Sequence, residues 1–307
     1  MRGDDVQDLK EILTLHYVYP LTFNKFQKLQ QHIGSIDNLM NVSATKLSNI
    51  LSISTKNAEK IISQYKKVLN TNLIEAYNSA KIHAIPFHHE YYPKRLKELI
   101  DPPTVLYAKG DISLLSSSLK IAMIGSRQAS EYSRIAMDYI LPPLVEQNAV
   151  IVSGLAKGAD SFAHHKTIKY GGRTIAVLGH GFFHSYPKEN KCLAEEIAGN
   201  HLLLTEYPPY VGVRKWHFPN RNRIISGISD AIVVTEAALK SGTLITTEHA
   251  LEHGKDVFVV PGPIHSELSK GTNSLLKEGA IPIWDGYQII DELKCFLRGY
   301  DNTIRKN

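Results

Sequence analysis

Between Lys215 and Gly227 the chain reads Lys215-Trp216-His217-Phe218-Pro219-Asn220-Arg221-Asn222-Arg223-Ile224-Ile225-Ser226-Gly227, which crowds cations, large aromatics and amides together before it turns apolar. Lys and Arg are almost never fully buried unless paired, so such a mixture makes an awkward core. It suits a polyanion with flat bases, because cations neutralise phosphates and rings offer stacking faces. Trp216 is left with two readings, a stacking ring or a cover over core surface.

Other candidate residues follow apolar runs. Gly125-Ser126-Arg127 comes after Ile121 to Ile124: glycine allows close backbone approach, serine donates a hydrogen bond, and arginine holds a phosphate with two donors. Ser153-Gly154-Leu155-Ala156-Lys157-Gly158-Ala159-Asp160 enters a helix with one cation at its tip, where N–H groups and the helix dipole favour an anion. Gly179-His180-Gly181 precedes Tyr186-Pro187 and Asn190. Lys240-Ser241-Gly242-Thr243 again places small residues at a helix start. Taken singly, each glycine is ordinary turn chemistry. Together the loops predict a cationic rim from Arg127, Lys157, Lys215, Arg221, Arg223 and Lys240, fitted to a single-stranded backbone. Gly179-His180-Gly181-Phe182-Phe183-His184 lacks the third glycine of a dinucleotide fingerprint, and no GxxxxGK[ST] occurs. No Cys, Ser or second carboxylate stands at catalytic spacing from His164 and His165, one of which reads as a packing or helix-capping residue. Asp160 reads as a helix N-cap.

The elements that must carry these loops alternate. Nearly continuous apolar runs at Ile121–Ile124, Ala149–Val152, Thr174–Leu178, Leu202–Leu204, Ala231–Val234 and Asp256–Val260 are the signature of strands covered on both faces. Helical patterns fill the gaps at 133–146, 160–169, 194–199, 221–227, 243–253 and 272–278. The prediction is an α/β fold with a Rossmann-like, doubly wound, mostly parallel sheet, whose ligands gather at the carboxyl ends of the strands. Residues 1–70 read as short helices, with Ser43 and then Ser54 or Thr55 as caps and Gly34 as a stop. This is a small all-α domain of sterile-alpha-motif or helix-hairpin-helix kind, although Leu51-Ser52-Ile53-Ser54 lacks a DNA-gripping hairpin's glycine. Residues 71–118 form a transition into the α/β part, with strand candidates at Ile82–Phe87 and Val105–Ala108. Residues 119–295 are the Rossmann-like domain and 296–307 a tail.

The 307 residues are 43% hydrophobic and 21% charged, ordinary for a globular protein. Lys and Arg number 35 against 30 Asp and Glu, a net charge of +5 that permits nucleic-acid binding without requiring it. The two cysteines, Cys192 and Cys295, form no CxxC pair, which points to a reducing compartment and to no metal site. The Met1-Arg2-Gly3-Asp4-Asp5 start lacks a signal peptide's regions, and no apolar run is long enough for a bilayer. A cytoplasmic location is expected, with no cofactor.

In combination these motifs resemble the DNA-processing protein A family, also called Smf. The matching runs are Ile124–Arg127, Ser153–Asp160 with Ala163-His164, Thr174–Gly181 with Tyr186-Pro187 and Asn190, Glu206–Pro209, Phe218-Pro219 with Arg221–Ser229, Lys240–Thr246, Pro261–Ile264 and Gly271–Asn273 with Gly279-Ala280. They cover about residues 80 to 290. The resemblance implies a non-enzymatic homodimer that binds and protects single-stranded DNA during natural transformation. It would load a RecA-type recombinase and displace single-strand-binding protein. It assigns phosphate binding to Gly125, Ser126 and Arg127, carries Lys215 over as a contact, makes Phe218 the stacking ring and Asn222 a polar contact. Gly154, Lys157, Arg221, Arg223, Lys240, Ser241, Gly242 and Thr243 complete the expected DNA-binding set. For some cations the other role is to hold loops or to pair with Glu206, Asp230 or Glu236. Many relatives carry an aspartate in the neighbourhood of the Tyr-Pro step, where this chain has Phe182-Phe183-His184. Many also have a C-terminal winged helix, which is not expected beyond Asp291-Glu292-Leu293. A different class of reading is a Rossmann-like nucleotide enzyme of phosphoribohydrolase type, with Glu248 as its acid and Ser241-Gly242-Thr243 as its phosphate loop.

Overall fold

The computed structural model describes residues 3–239, 241–252 and 254–294. Lys240, Cys295 and the tail 296–307 therefore lie outside the described residues, and so does the side chain of Glu248.

Five helices open the chain: α1 (Gly3–Val18), α2 (Phe23–Ile33), α3 (Ala44–Leu51), α4 (Thr55–Val68) and α5 (Leu73–Ser79), with a 3-10 turn at Ile36–Asn41. The Ser43 hydroxyl accepts from the Lys46 N–H at 3.2 Å and the Ser54 hydroxyl from the Asn57 N–H at 3.3 Å, so both caps are serines. Each replaces a hydrogen bond that the first helical turn lacks. Gly34 ends α2 with φ 74°. Between α3 and α4 the left-handed residue is Ser52, with φ 54°. The expected glycine is dispensable because the turn is tied locally: Ile53 N–H donates to Ser48 O at 3.1 Å, and Ser48 Oγ donates back to Ile53 O at 2.5 Å. Phe26, Leu29, Leu39, Leu47, Ile61 and Tyr65 form the buried centre of this bundle. Helix α5 was not expected from the sequence.

The remainder is one mixed sheet of β1 (His83–Pro86), β2 (Val105–Gly110), β3 (Lys120–Ile124), β4 (Val150–Ser153), β5 (Arg173–Val177), β6 (Leu202–Thr205), β7 (Ala231–Val234), β8 (Asp256–Val259) and β9 (Ile281–Pro282). Its order is β1-β2-β6-β5-β4-β3-β7-β8-β9. The pairs β1·β2 and β2·β6 are antiparallel and the others parallel. This is the doubly wound, mostly parallel architecture that the apolar runs predict. Alternate residues face opposite layers. Ala122, Ile124, Val152 and Val234 pack under Ile224, Ile225 and Ile228 of α9 (His217–Ile228) and Leu275 of α11 (Lys270–Lys277). Ile121, Met123, Ile151 and Phe258 pack under Met137, Ile140 and Leu144 of α6 (Glu131–Glu146) and Ala163 of α7 (Ala159–Lys169). Leu193 and Ile197 of α8 (Lys191–Asn200) cover β5 and β6. Helix α10 (Gly242–Glu252) follows β7.

Strand β3 has β4 on one side and β7 on the other, so chain order reverses there. A parallel sheet opens its ligand crevice at the carboxyl end of such a reversal. The helical bundle docks against the β1–β2 side through Leu13, Leu73, Tyr77, Val105 and Tyr107, with His16 Nδ1 3.0 Å from the Tyr107 hydroxyl. Among the described residues no helix is long and apolar enough to cross a membrane.

Candidate nucleic-acid interface

The loop after β3 lies against the start of α7. A Cβ on Gly125 would stand 2.7 Å from both the Ala159 Cβ and the Thr235 Oγ1, so only glycine permits this approach. Ser126 is fixed from two sides: its N–H donates to Glu236 O at 2.8 Å and its carbonyl accepts from Ala159 N–H at 3.1 Å. Its hydroxyl accepts from the Gln128 N–H at 3.1 Å. The buried Glu236 carboxylate accepts from both N–H and Oγ of Ser130, each at 2.7 Å, which anchors the start of α6.

The loop after β4 folds around Asp160. Its carboxylate accepts the N–H groups of Gly154 at 3.1 Å and Ala156 at 3.2 Å. The expected N-cap role is corrected here: Asp160 sits inside the first turn, and it fastens the preceding loop rather than the helix's own orphan donors. Burial raises its pKa, opposed by the Arg221 charge and by these N–H donors. Gly158, at φ 74°, would bring a Cβ 2.5 Å from Ser126 O, so it locks the β3 and β4 loops together. Asn190 Nδ2 donates to the carbonyls of Leu155 at 2.9 Å and Ala156 at 3.1 Å.

Helix α9 delivers three candidates to the same place. Arg221 is only 4% exposed, and its Nη1 donates to Gly154 O at 2.5 Å and to Val177 O. Burial lowers its pKa to about 10 against the pull of Asp160, so the guanidinium stays charged at neutral pH. Phe218 is half-buried, with its ring 5.3 Å from that of Tyr186. The Arg127 guanidinium lies 5.6 Å from the Phe218 ring centre, within cation–π range. His217 braces this turn by donating from Nδ1 to Gly179 O at 3.1 Å and by stacking on Tyr207 at 3.9 Å.

Two cavities open here. The larger, of about 460 Å³, is lined by Gly125, Ser126, Arg127, Asn222, Ser241, Gly242 and Thr243 among others. The smaller, of about 200 Å³, is lined by Gly154, Lys157, His180, Tyr186 and Pro187. Arg127, Ala156, Phe218 and Arg221 line both, so the two are continuous. Ser241 Oγ is buried at the start of α10 with no hydrogen-bond partner among the described residues. The helix there aims its positive end at the larger cavity. His180, in the wall, has its pKa lowered by burial and reads as neutral.

Of the fourteen residues in the expected DNA-binding set, Gly125, Ser126, Arg127, Gly154, Lys157, Phe218, Arg221, Asn222, Ser241, Gly242 and Thr243 line this double cavity. Lys215 is exposed in the turn before α9 and lines neither. Arg223 also lines neither, being committed to a mostly buried ion pair with Glu206. Lys157 is held by Glu189 at 2.5 Å, an exposed pair. Asp230 pairs with Arg95 at 2.5 Å, remote from these loops. His164 is fully buried with Nδ1 2.7 Å from Thr174 Oγ1, a packing residue. Trp216 is 59% exposed and covers no core, with Arg214 5.3 Å over its ring. Sequence reasoning did not give Tyr186 a role beside Phe218, nor Glu189 one beside Lys157. Both stand in the Tyr186-Pro187-Lys188-Glu189-Asn190 run, whose place after β5 was the available signal, but nothing in the run pairs Glu189 with Lys157. Among the described residues no group of three or more His, Cys, Asp or Glu side chains is arranged to hold a metal.

The geometry is thus a preformed, cationic, glycine-walled seat with an aromatic floor. A family model described as DNA recombination-mediator protein A matches residues 83–294. The DNA processing protein DprA of Bacillus subtilis is 44% identical over 221 residues, which is 72% of this chain and 74% of that protein. The X-ray structure of DprA from Streptococcus pneumoniae superposes with a TM-score of 0.79 at 35% identity, covering 92% of this chain and 97% of that one. DNA processing protein A from Helicobacter pylori, solved to describe its single-stranded DNA binding mode, superposes at 0.63 with 34% identity, covering 69% of this chain and 95% of that one. With the matched region running from β1 to the end of the described chain, and the same protein recurring among its relatives, this chain belongs to the DNA recombination-mediator protein A (DprA/Smf) family.

Proposed function

We propose that the protein binds single-stranded DNA in the double cavity and that this binding, rather than catalysis, is its activity. The observation that carries the reading is Arg127 over the Phe218 ring, where the two cavities meet. A base lying on Phe218 would put its flanking phosphates toward the Gly125–Arg127 loop on one side and Lys157 on the other. Such a platform has little base preference, since every base has a π-face. Asn222 and the start of α10 add polar donors, and the exposed Lys215 adds field at the rim without lining the seat. Arg221 supplies charge from inside the wall. We assign Arg223 to holding α9 through Glu206.

The family reading extends further. It makes the protein a cytoplasmic homodimer that protects incoming DNA and loads a RecA-type recombinase in place of single-strand-binding protein. It also treats residues 1–70 as a separate helical module on the 119–295 binding domain, joined by 71–118.

A salt titration of labelled oligothymidine and of a duplex tests the core of the proposal. Single strands should bind more tightly, with log K falling linearly in log salt. Arg127→Ala should weaken binding by about 1–3 kcal/mol and flatten that slope. Unchanged affinity in Arg127→Ala rejects the site. Release of free base from nucleoside monophosphates would favour an enzyme instead.

A further inference from the structure

The seat does not end at Tyr186. A third cavity, of about 690 Å³, shares Leu155, Leu178, His180, Tyr186 and Pro187 with the smaller cavity and continues it toward α8. Its outer wall is the Phe182-Phe183-His184 loop. Phe183 is 65% exposed, yet its backbone is pinned: its N–H donates to Pro209 O at 2.9 Å. His184 is tied as well, its N–H to Gly181 O at 3.1 Å and its Nε2 to Tyr210 O at 2.8 Å. Gly181 is pressed against the Pro208 and Pro209 carbonyls, where no Cβ fits. A large ring is therefore held in water on a rigid loop, with no core to cover. Lys109, Lys188 and Lys191 line the same cavity against a single carboxylate, Glu195, which lies 3.8 Å from Lys191.

Resting on the reading above, we propose that this cavity is a second base-stacking subsite for the same strand. Phe183 is its platform, and Lys109 and Lys188 take the phosphates. The strand then runs from the Gly125–Arg127 loop past Phe218 and Tyr186 to Phe183. An acidic peptide would also meet the lysines. Continuity of the walls and an exposed ring presented to them favour the nucleic acid.

Fluorescence anisotropy over an oligothymidine length ladder tests this, with Phe183→Ala and Lys109→Ala beside the wild type. The shortest oligomers that bind should bind all three alike. Longer ones should gain affinity on the wild type and lose about tenfold or more of it on Phe183→Ala. Lys109→Ala should reduce the long-oligomer salt slope by about 0.7. An oligomer carrying one 2-aminopurine should be quenched near one end by the wild type and not by Phe183→Ala. Circular dichroism should be unchanged, since the ring is exposed. If Phe183→Ala matches the wild type at every length, the subsite is overturned and the inner seat stands. Competition by polyglutamate with no gain for longer oligomers overturns it in favour of a protein partner. A wild type that binds no length overturns both.

Discussion

Arg127 and Arg221 serve the same seat by different physics. Arg127 projects over Phe218, while Arg221 is buried and spends Nη1 on the Gly154 and Val177 carbonyls. Removing a charged donor from buried carbonyls leaves them unsatisfied. Arg221→Met should therefore lower stability by about 3 kcal/mol in urea unfolding, whereas Arg127→Ala should shift it by less than about 0.5 kcal/mol. Equal midpoints for the two would contradict this division. In the proposed seat Glu189, paired with Lys157, would compete with DNA for it, so Glu189→Gln should tighten oligothymidine binding modestly, by about 0.2–1 kcal/mol at low salt, and the gain should fade as salt rises. The composition of the 215–227 run pointed to this place. The partition of its cations was not read: Arg221 and Arg223 were placed on one rim, yet two residues apart, about 200° around a helix, they face different sides. Glu206 was among the carboxylates named as partners for these cations, but that Arg223 is the one it takes depends on long-range packing.

At the scale of elements, the loops are shaped by what glycine leaves out. A Cβ at Gly154 would collide with the Arg221 guanidinium, and one at Gly125 with Ala159 and Thr235. Gly125→Ala should cost about 1–3 kcal/mol of stability by overpacking and should weaken binding as the β3 loop lifts; a neutral midpoint with full binding would refute the tight fit. The strands were legible because each is an apolar run covered on both faces. Helix α9 begins four residues earlier than its apolar pattern, at His217, because Pro219 lies in the first turn, where its missing N–H has no carbonyl to serve. Helix α5 escaped notice because its seven residues bury only Leu73 and Tyr77, too few to set up a period.

Across the whole molecule, helical bundle and sheet share buried contacts through Leu13, Tyr77 and Tyr107. Urea unfolding followed by tyrosine fluorescence and by far-ultraviolet dichroism should coincide; separated transitions would mean that the bundle melts alone. Buried imidazoles make the fold acid-sensitive, His16 and His164 most strongly. Burial lowers His16 and His164 from 6.5 to about 3, with His165, His201 and Arg221 adding to the effect on His164. The unfolded chain takes up these protons first, so stability is intact above pH 6.5 and falls as pH drops toward 3. Each histidine steepens that fall by up to about 1.4 kcal/mol per pH unit. His16→Gln should flatten the slope by one such share between pH 6 and 4, and an unchanged slope would exclude His16 as a contributor.

Before any ligand arrives, the Ser126–Ala159 main-chain bond and the close fit at Gly158 join the loops after β3 and β4, while the Asp160 carboxylate and the Asn190 amide hold the β4 loop through its N–H and carbonyl groups. An arriving polymer would then surrender its own torsional freedom while its host surrenders almost none. Capture should proceed in one kinetic phase whose speed tracks ionic strength, with no slower rearrangement behind it.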